Sequence, residues 1–448
     1  MRARDPFAEK ELPLLASMHA GGYGFYALVG VLVAVIGWGA IAYTVQLRHG
    51  LGVTGLRDHV MWGLYITNFV FFIGISHAGT LISAILRVTG AEWRRPVTRL
   101  AEAITVFALM VAAPMVLVDL GRPDRILNIF RYGRLQSPIL WDVMSITTYL
   151  TGSLLYLYLP LIPDLAILHR LPHLPAWKRR LYGVLSLRWL GSERQRALLE
   201  RGIATMAVII IPVAVSVHTV VSWIFGMTLR AGWNSTIFGP YFVIGAIFSG
   251  IAAVVLAMAA FRKAYHLEAY ITEAHFRRMG YLLLALALIY GYFTFSEYLT
   301  PVYKMAAPER GYLTAVLSGQ FAPLFWVTQI GGVLLPVLLL TVLHARPISA
   351  AVAASLLVTV GAWLKRFVII VPTLANPFMP IQRAPAGWAV YHPTWVEVSI
   401  TAAALAGFAL IYILFSKVFP IVSIWETREG GAEQRAPAPG GVADAPAV

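Results

Sequence analysis

The chain has no cysteine in 448 residues. It therefore cannot ligate an iron–sulfur cluster, attach a c-type haem, form a disulfide or use a thiol nucleophile, and any such centre has to sit on a partner. Charge is scarce as well: 12% of residues are Asp, Glu, Lys or Arg against 59% apolar. With a mean hydropathy of +0.73, that balance lies outside the range of soluble domains and implies an all-α polytopic membrane protein. Acids are the scarcer sign, 21 against 35 Lys and Arg, for a net charge of +14. In a nucleic-acid binder this surplus would form basic clusters on a soluble fold. Here it falls in short loops between apolar runs, where it sets topology, so the surface to expect is lipid and not nucleic acid.

A membrane-spanning helix needs about twenty apolar residues. Ten such spans are present, at 24–46, 60–86, 97–119, 139–163, 202–226, 240–262, 279–299, 321–344, 348–372 and 396–417. The polar segment 1–23 does not have the pattern of a cleavable signal peptide, so the first span is expected to stay. Lys and Arg concentrate on the side of the N-terminus, above all between His169 and Arg201. This bias predicts both termini in the cytoplasm and the Gly121–Gln136 loop outside. Segment 426–448, rich in Gly, Ala and Pro, is expected to be a disordered cytoplasmic tail.

One weak repeat is visible. Phe71-Phe72-Ile73-Gly74-Ile75-Ser76-His77-Ala78-Gly79 lines up with Phe242-Val243-Ile244-Gly245-Ala246-Ile247-Phe248-Ser249-Gly250. Small residues at this spacing let helix backbones approach in lipid. A true duplication makes spans two to five (60–226) and six to nine (240–372) two similar four-helix bundles, with spans one and ten peripheral. The copies differ where chemistry is possible, since His77 is matched by Phe248.

Ionisable groups inside a bilayer are costly enough that each is a functional candidate. Asp119, Asp142, His218, Glu297 and the Lys365-Arg366 pair lie toward the outer ends of their spans, and His77 and Glu102 toward the inner half. At 1.5 Å per residue His77 is about 14 Å from the inner end of its span and Glu102 about 8 Å from the start of its own, close enough to share a water-filled inner half-channel. Lys365 and Arg366 are expected to snorkel to the interface or to pair with Glu297. Between spans three and four, Gly121 and Pro123 break the helix and the arginines face Asp119, Asp124 or an external acidic surface. Ser137 then offers an N-cap with Pro138 in the first turn, and the helix dipole favours a charged Asp142. No metal-ligand set is apparent.

The helix end Asp119-Leu120-Gly121-Arg122-Pro123, followed by Arg125-Ile126-Leu127-Asn128 and Ser137-Pro138, resembles the NrfD-like family of quinone-interacting membrane anchors, which includes the polysulfide reductase membrane subunit. Within that family the chain is most similar to the ten-helix membrane subunit of alternative complex III. That likeness is carried by Ile73–Leu86, Ala101-Glu102-Ala103, Ser137–Val143, Ser216–Ser222 and Phe238–Gly250. It covers spans two to six by motif and the later spans mainly by hydropathy.

The resemblance implies a quinol-binding subunit in a bacterial inner (cytoplasmic) membrane, in a respiratory or photosynthetic chain, oxidising menaquinol or ubiquinol near the outer face. Electrons would pass to a periplasmic iron–sulfur subunit and on to c-type cytochrome subunits, beside a second homologous membrane subunit. No haem or cluster would be held by this chain. Quinol oxidation releases two protons with two electrons, so the ring hydroxyls need acceptors and the protons an exit. Asp142 and His218, with Tyr65 and Asn68 as neutral neighbours, suit the quinol site. His77, Glu102 and Asp119 suit a proton path, and Arg122 and Arg125 a partner interface.

Two rivals differ in class. A haem b anchor would use His77 and His218, yet counting residues puts them about 25 Å and 10 Å from the outer ends of their helices, too unequal for one iron. A secondary transporter would use the repeat, with Lys365 and Arg366 as a substrate clamp. Quinol-analogue binding against a transport assay separates the two readings.

Overall fold

The computed structural model describes residues 12–19, 21–172, 174–228, 230–377 and 390–433, which form helices and connecting loops with no strand among them. Among the described residues ten elements are candidates to cross a membrane, in order: α1 Tyr23–His49, α2 Leu64–Val88, α3 Arg95–Asp119, α4 Pro138–Tyr158, α5 Glu193–Gly226, α6 Phe238–Ala264, α7 Glu273–Lys304, α8 Ala322–Val342, α9 Pro347–Ala375 and α10 Trp395–Val418. Nine are long and apolar enough alone. The other, α4, qualifies together with the helix Leu161–His169, to which it joins at a 46° bend. Pro160 sits in that bend and lacks the N–H needed to continue the ladder.

Helices α2 to α5 pack as a closed ring, as do α6 to α9, and the rings meet along α2 and α6 with α9 and α5 beside them. Helix α1 pairs with α10, which lies against α2 and α3. The α2–α3 crossing is close because Gly79 has no side chain: a Cβ there would stand 1.6 Å from the Ala101 carbonyl oxygen. Of the repeated glycines, Gly74 lies at the ring-to-ring contact against Ser249 and Ala246, and Gly245 lies within the second ring against Tyr290. Both face the Arg366 guanidinium, with Cβ positions 3.4 Å from its Nη2.

Within α8, residues Val327–Leu334 widen to a π-helix. Pro336 follows, unable to donate to the Gly332 carbonyl, and Gly332 packs backbone to backbone on Gly361 of α9. The start of α4 falls where Pro138 predicts it, but the Ser137 side chain makes no cap bond. Its carbonyl instead accepts from Leu140 and Trp141.

The chain end differs from expectation in part. Ile424–Glu433 is helical, and Glu426 is buried against Arg87 and Arg94. The amides of Ile424 and Trp425 donate to Asp164, at 3.1 and 2.8 Å, so a carboxylate in the first ring anchors this segment. The rest of the expected disordered tail, 434–448, lies outside the described residues, as does most of 1–23.

Candidate functional site

The inner face of α4 carries Asp142, Ile146, Tyr149, Ser153 and Tyr156, all buried. Their alternating spacing of four and three residues places them on one stripe facing the first ring. Around the middle of that stripe the Tyr149 hydroxyl donates to the Ser76 carbonyl at 3.0 Å, and Thr105 donates to the same oxygen at 2.7 Å. The Tyr149 ring lies 5.1 Å from that of His77. Further along, Tyr156 and Ser83 are 3.2 Å apart and Ser83 donates to Glu102 Oε1 at 2.8 Å. Glu102 Oε2 has no hydrogen-bond partner. Beyond it stand Arg87, Arg94 and Glu426 at the face opposite the 120–137 loop.

His77 is fully buried, with Nδ1 2.8 Å from the Ile73 carbonyl and Nε2 2.6 Å from that of Ala214 on α5. A neutral imidazole has one N–H and serves one of these acceptors; an imidazolium serves both. His218, equally buried, touches the His77 ring edge-on at 4.2 Å between centroids, and neither of its nitrogens has a hydrogen-bond partner.

The unequal depths expected for the two histidines are therefore wrong. Counting from helix ends assumes that the ends are level, and in the folded chain α2 and α5 are offset along their axes.

The residues grouped for quinol fall into separate neighbourhoods. His218 joins His77. Asp142 heads the α4 stripe, with Oδ1 buried and unpartnered. Tyr65 donates to Gln46 Oε1 at 2.6 Å, and Asn68 binds Thr401 at 2.8 Å and Trp363 at 2.9 Å, facing α1, α9 and α10. Asp119, placed by sequence on the proton path, lies instead near Tyr65 and Glu397, close enough to act on both electrostatically.

Glu397 was missed from sequence. It is buried, accepts from Tyr391 and from the Gly55 amide (2.6 Å), and closes a capping box with Thr394. The Thr394-x-x-Glu397 spacing is a legible capping signal. Its tie to residue 55 is not legible, since it spans most of the chain.

On the exposed loop, Arg122 binds Asp124 through two bonds of 3.0 and 2.9 Å, and this holds the Asp124 carboxyl below its ordinary range. No arginine pairs with Asp119 among the described residues. Arg125 is exposed, as are Leu127, Phe130, Tyr132 and Leu135 around it.

Lys365 and Arg366 do not snorkel. They are 1% and 2% exposed, inside the second ring and at its junction with the first. Neither forms an ion pair with Glu297.

Comparison with known proteins agrees with this architecture. A protein of Halobacterium salinarum, provisionally named as a dimethyl sulfoxide reductase membrane subunit, is 34% identical over 245 residues, 54% of this chain and 53% of that protein. The alignment thus spans about half the length of that relative. A selenate reductase subunit of Mesobacillus selenatarsenatis is 24% identical over 416 residues, covering 90% of this chain and 95% of that one. The Hdr-like menaquinol oxidoreductase integral membrane subunit of Archaeoglobus fulgidus is 23% identical over 416 residues, covering 89% and 94%. The profile described as polysulphide reductase, NrfD, matches residues 52–377, which include both rings, and the chain belongs to that family.

Proposed function

We propose that this chain is the quinol-binding membrane subunit of an electron-transfer complex. It binds quinol at the loop end of the first ring and hands electrons to an iron–sulfur partner docked on that face. The observation that carries the reading is the polar stripe through the first ring, from the unpartnered Asp142 carboxylate past Tyr149, His77 and His218 to Ser83 and Glu102. A chain without cysteine can take protons from a quinol but needs another subunit for the electrons. Membership of the NrfD family and a relative named for menaquinol support the quinone class, with menaquinol favoured over ubiquinol.

In this reading Asp142 accepts a proton from a ring hydroxyl as the electrons leave. His218 and His77 receive protons in the middle of the ring, and Ser83, Tyr156 and Glu102 connect them to the opposite face. Asp119, Tyr65 and Asn68 support the loop end from the α1 and α10 side. Arg122, Arg125 and the exposed apolar side chains near them form the docking surface for the periplasmic iron–sulfur subunit. The lysine and arginine bias puts that loop outside and both termini in the cytoplasm of a bacterial inner membrane. The ten-helix likeness to the membrane protein of alternative complex III extends the assembly to c-type cytochromes and a second homologous membrane subunit.

The test is Asp142→Asn in the assembled complex, which keeps shape and removes the acceptor. Turnover should fall about 10²-fold or more, in the range of a lost general base, with inhibitor affinity changed less than about threefold. Unchanged turnover removes Asp142 from the chemistry and overturns the reading.

A further inference from the structure

The second ring holds a buried ionisable cluster that the quinol reading leaves unused. Glu297 on α7 is 8% exposed, and its Oε2 has no hydrogen-bond partner. The cation acting on it electrostatically is Lys365 on α9. The ammonium sits among three rings, 5.0 Å from the centroid of Tyr298, 5.5 Å from Tyr241 and 5.9 Å from Phe325. It donates to the Tyr298 hydroxyl at 3.4 Å, and Tyr298 lies 3.3 Å from the hydroxyl of Tyr312 in the helix Ala307–Leu317 at the loop face. Beside Lys365, Arg366 has unpartnered Nε and Nη2 atoms and stacks 5.7 Å over Phe242, whose ring meets that of His218 at 6.1 Å.

On the α8 side of Lys365 and Arg366, not reaching Glu297 itself, is a cavity of about 10 Å³, lined by these two with Tyr290, Thr328, Gly332 and Gly361. That volume is at the lower limit for one water and far too small for a quinone ring or an oxyanion. A buried acid and a buried base that do not pair, a hydroxyl relay to one face and a water-sized space together have the chemistry of a proton store.

We infer that Glu297 is a second proton-exchange site, separate from the stripe of the first ring, which communicates with the loop face through Lys365, Tyr298 and Tyr312. Uptake turns the carboxylate beside the ammonium into a carboxylic acid, and release restores it; no electron moves. The titratable and charged groups facing the pair are Tyr241 from α6, Tyr290 and Tyr298 from α7, Tyr312 from the loop-face helix and Arg366 from α9, and the Ser235 hydroxyl hydrogen-bonds the Glu297 carboxylate from the segment before α6. Arg366 is the one permanent charge among them, and through Phe242 it ties the site to the histidines of the first ring.

The experiment is an infrared pH titration of the purified full chain in lipid discs, with hydrogen–deuterium exchange of the carboxylic acid bands. It needs no quinol, so it succeeds or fails independently of the Asp142→Asn turnover test. One titrating band should disappear in Glu297→Gln, change its titration midpoint in Lys365→Met and exchange more slowly in Tyr298→Phe. If Glu297→Gln does not fold, Glu297→Asp keeps the acid and should shift the same band. A full set of titrating bands, unmoved in Glu297→Gln or in its Asp substitute, overturns the inference.

Discussion

The two rings share a packing plan and differ in where they allow polarity. In the first, buried hydroxyls, imidazoles and carboxylates continue from Asp142 at the loop end to Glu102 near the other face. In the second, Glu297, Lys365 and Arg366 cluster with tyrosines toward the loop end, and the opposite half of α6 and α7 buries Val254, Val255, Met258, Met279 and Leu283. His77 against Phe248 at the matched position is the difference in miniature. A duplicated scaffold can keep its glycine contacts, which are steric, while its buried polar atoms diverge, because those answer to function more than to packing.

The largest expected effect lies at the end of the first ring that has no counterpart in the second. Arg99 and Asp164, 2% and 0% exposed, pair at 2.6 Å, and Arg99 also donates to the carbonyls of Pro160 and Pro420. Asp164→Ala leaves a buried guanidinium without its counter-ion and removes the acceptor of the Ile424 and Trp425 amides, for a loss of about 3–5 kcal/mol. The exposed Arg122–Asp124 pair, 61% and 59% exposed, is the control: Arg122→Ala should change stability by less than about 1 kcal/mol. Denaturation of the purified chain in detergent measures both, and equal effects would erase the distinction between a clamp and a surface pair.

Steric effects come next and grade the glycine contacts. In Gly79→Ala the new methyl meets backbone at 1.6 Å, in Gly245→Ala it meets the Tyr290 ring at 2.8 Å, and in Gly74→Ala its nearest neighbour is the Arg366 guanidinium at 3.4 Å. The first cannot be relieved by a rotamer change and should cost at least the ~1–3 kcal/mol typical of overpacking, with the other two progressively milder. Thermal midpoints in that order support the α2–α3 crossing as the tightest contact. A more severe Gly74→Ala would transfer that role to the junction between rings.

Hydropathy alone made the ten elements legible, because lipid demands apolar length and helical backbone whatever the fold. The repeat carried the ring arrangement one step further, through glycines that both approach the Arg366 guanidinium. What stayed hidden depended on contacts between distant segments. Asp164 carries no local signal for its pairing with Arg99 and the 424–425 amides, and the capping spacing of Glu397 says nothing of Gly55. Tyr65 and Asn68 were grouped with His218 by depth, yet they point to other helices, because depth along a helix says nothing about azimuth. His77 and His218 failed in the opposite sense, separated by depth and joined by the offset of their helices.

A small structural effect inside the first ring, and the one that sharpens the comparison of the rings most, is expected from His77→Phe. The substitution imports the residue that the second ring carries at the matching position, and the site already presents aromatic surroundings in Tyr149 and His218. What is lost is hydrogen bonding to the Ile73 and Ala214 carbonyls, for a cost of about 1 kcal/mol. The chain should therefore fold and assemble. If protons cross the first ring through His77, exchange with the face opposite the loop should fall sharply while inhibitor affinity at the Asp142 end holds. A parallel loss of inhibitor affinity would make His77 a quinol contact instead. Unchanged turnover and exchange would leave it a packing residue, and would make the difference between His77 and Phe248 one of tolerance rather than of chemistry.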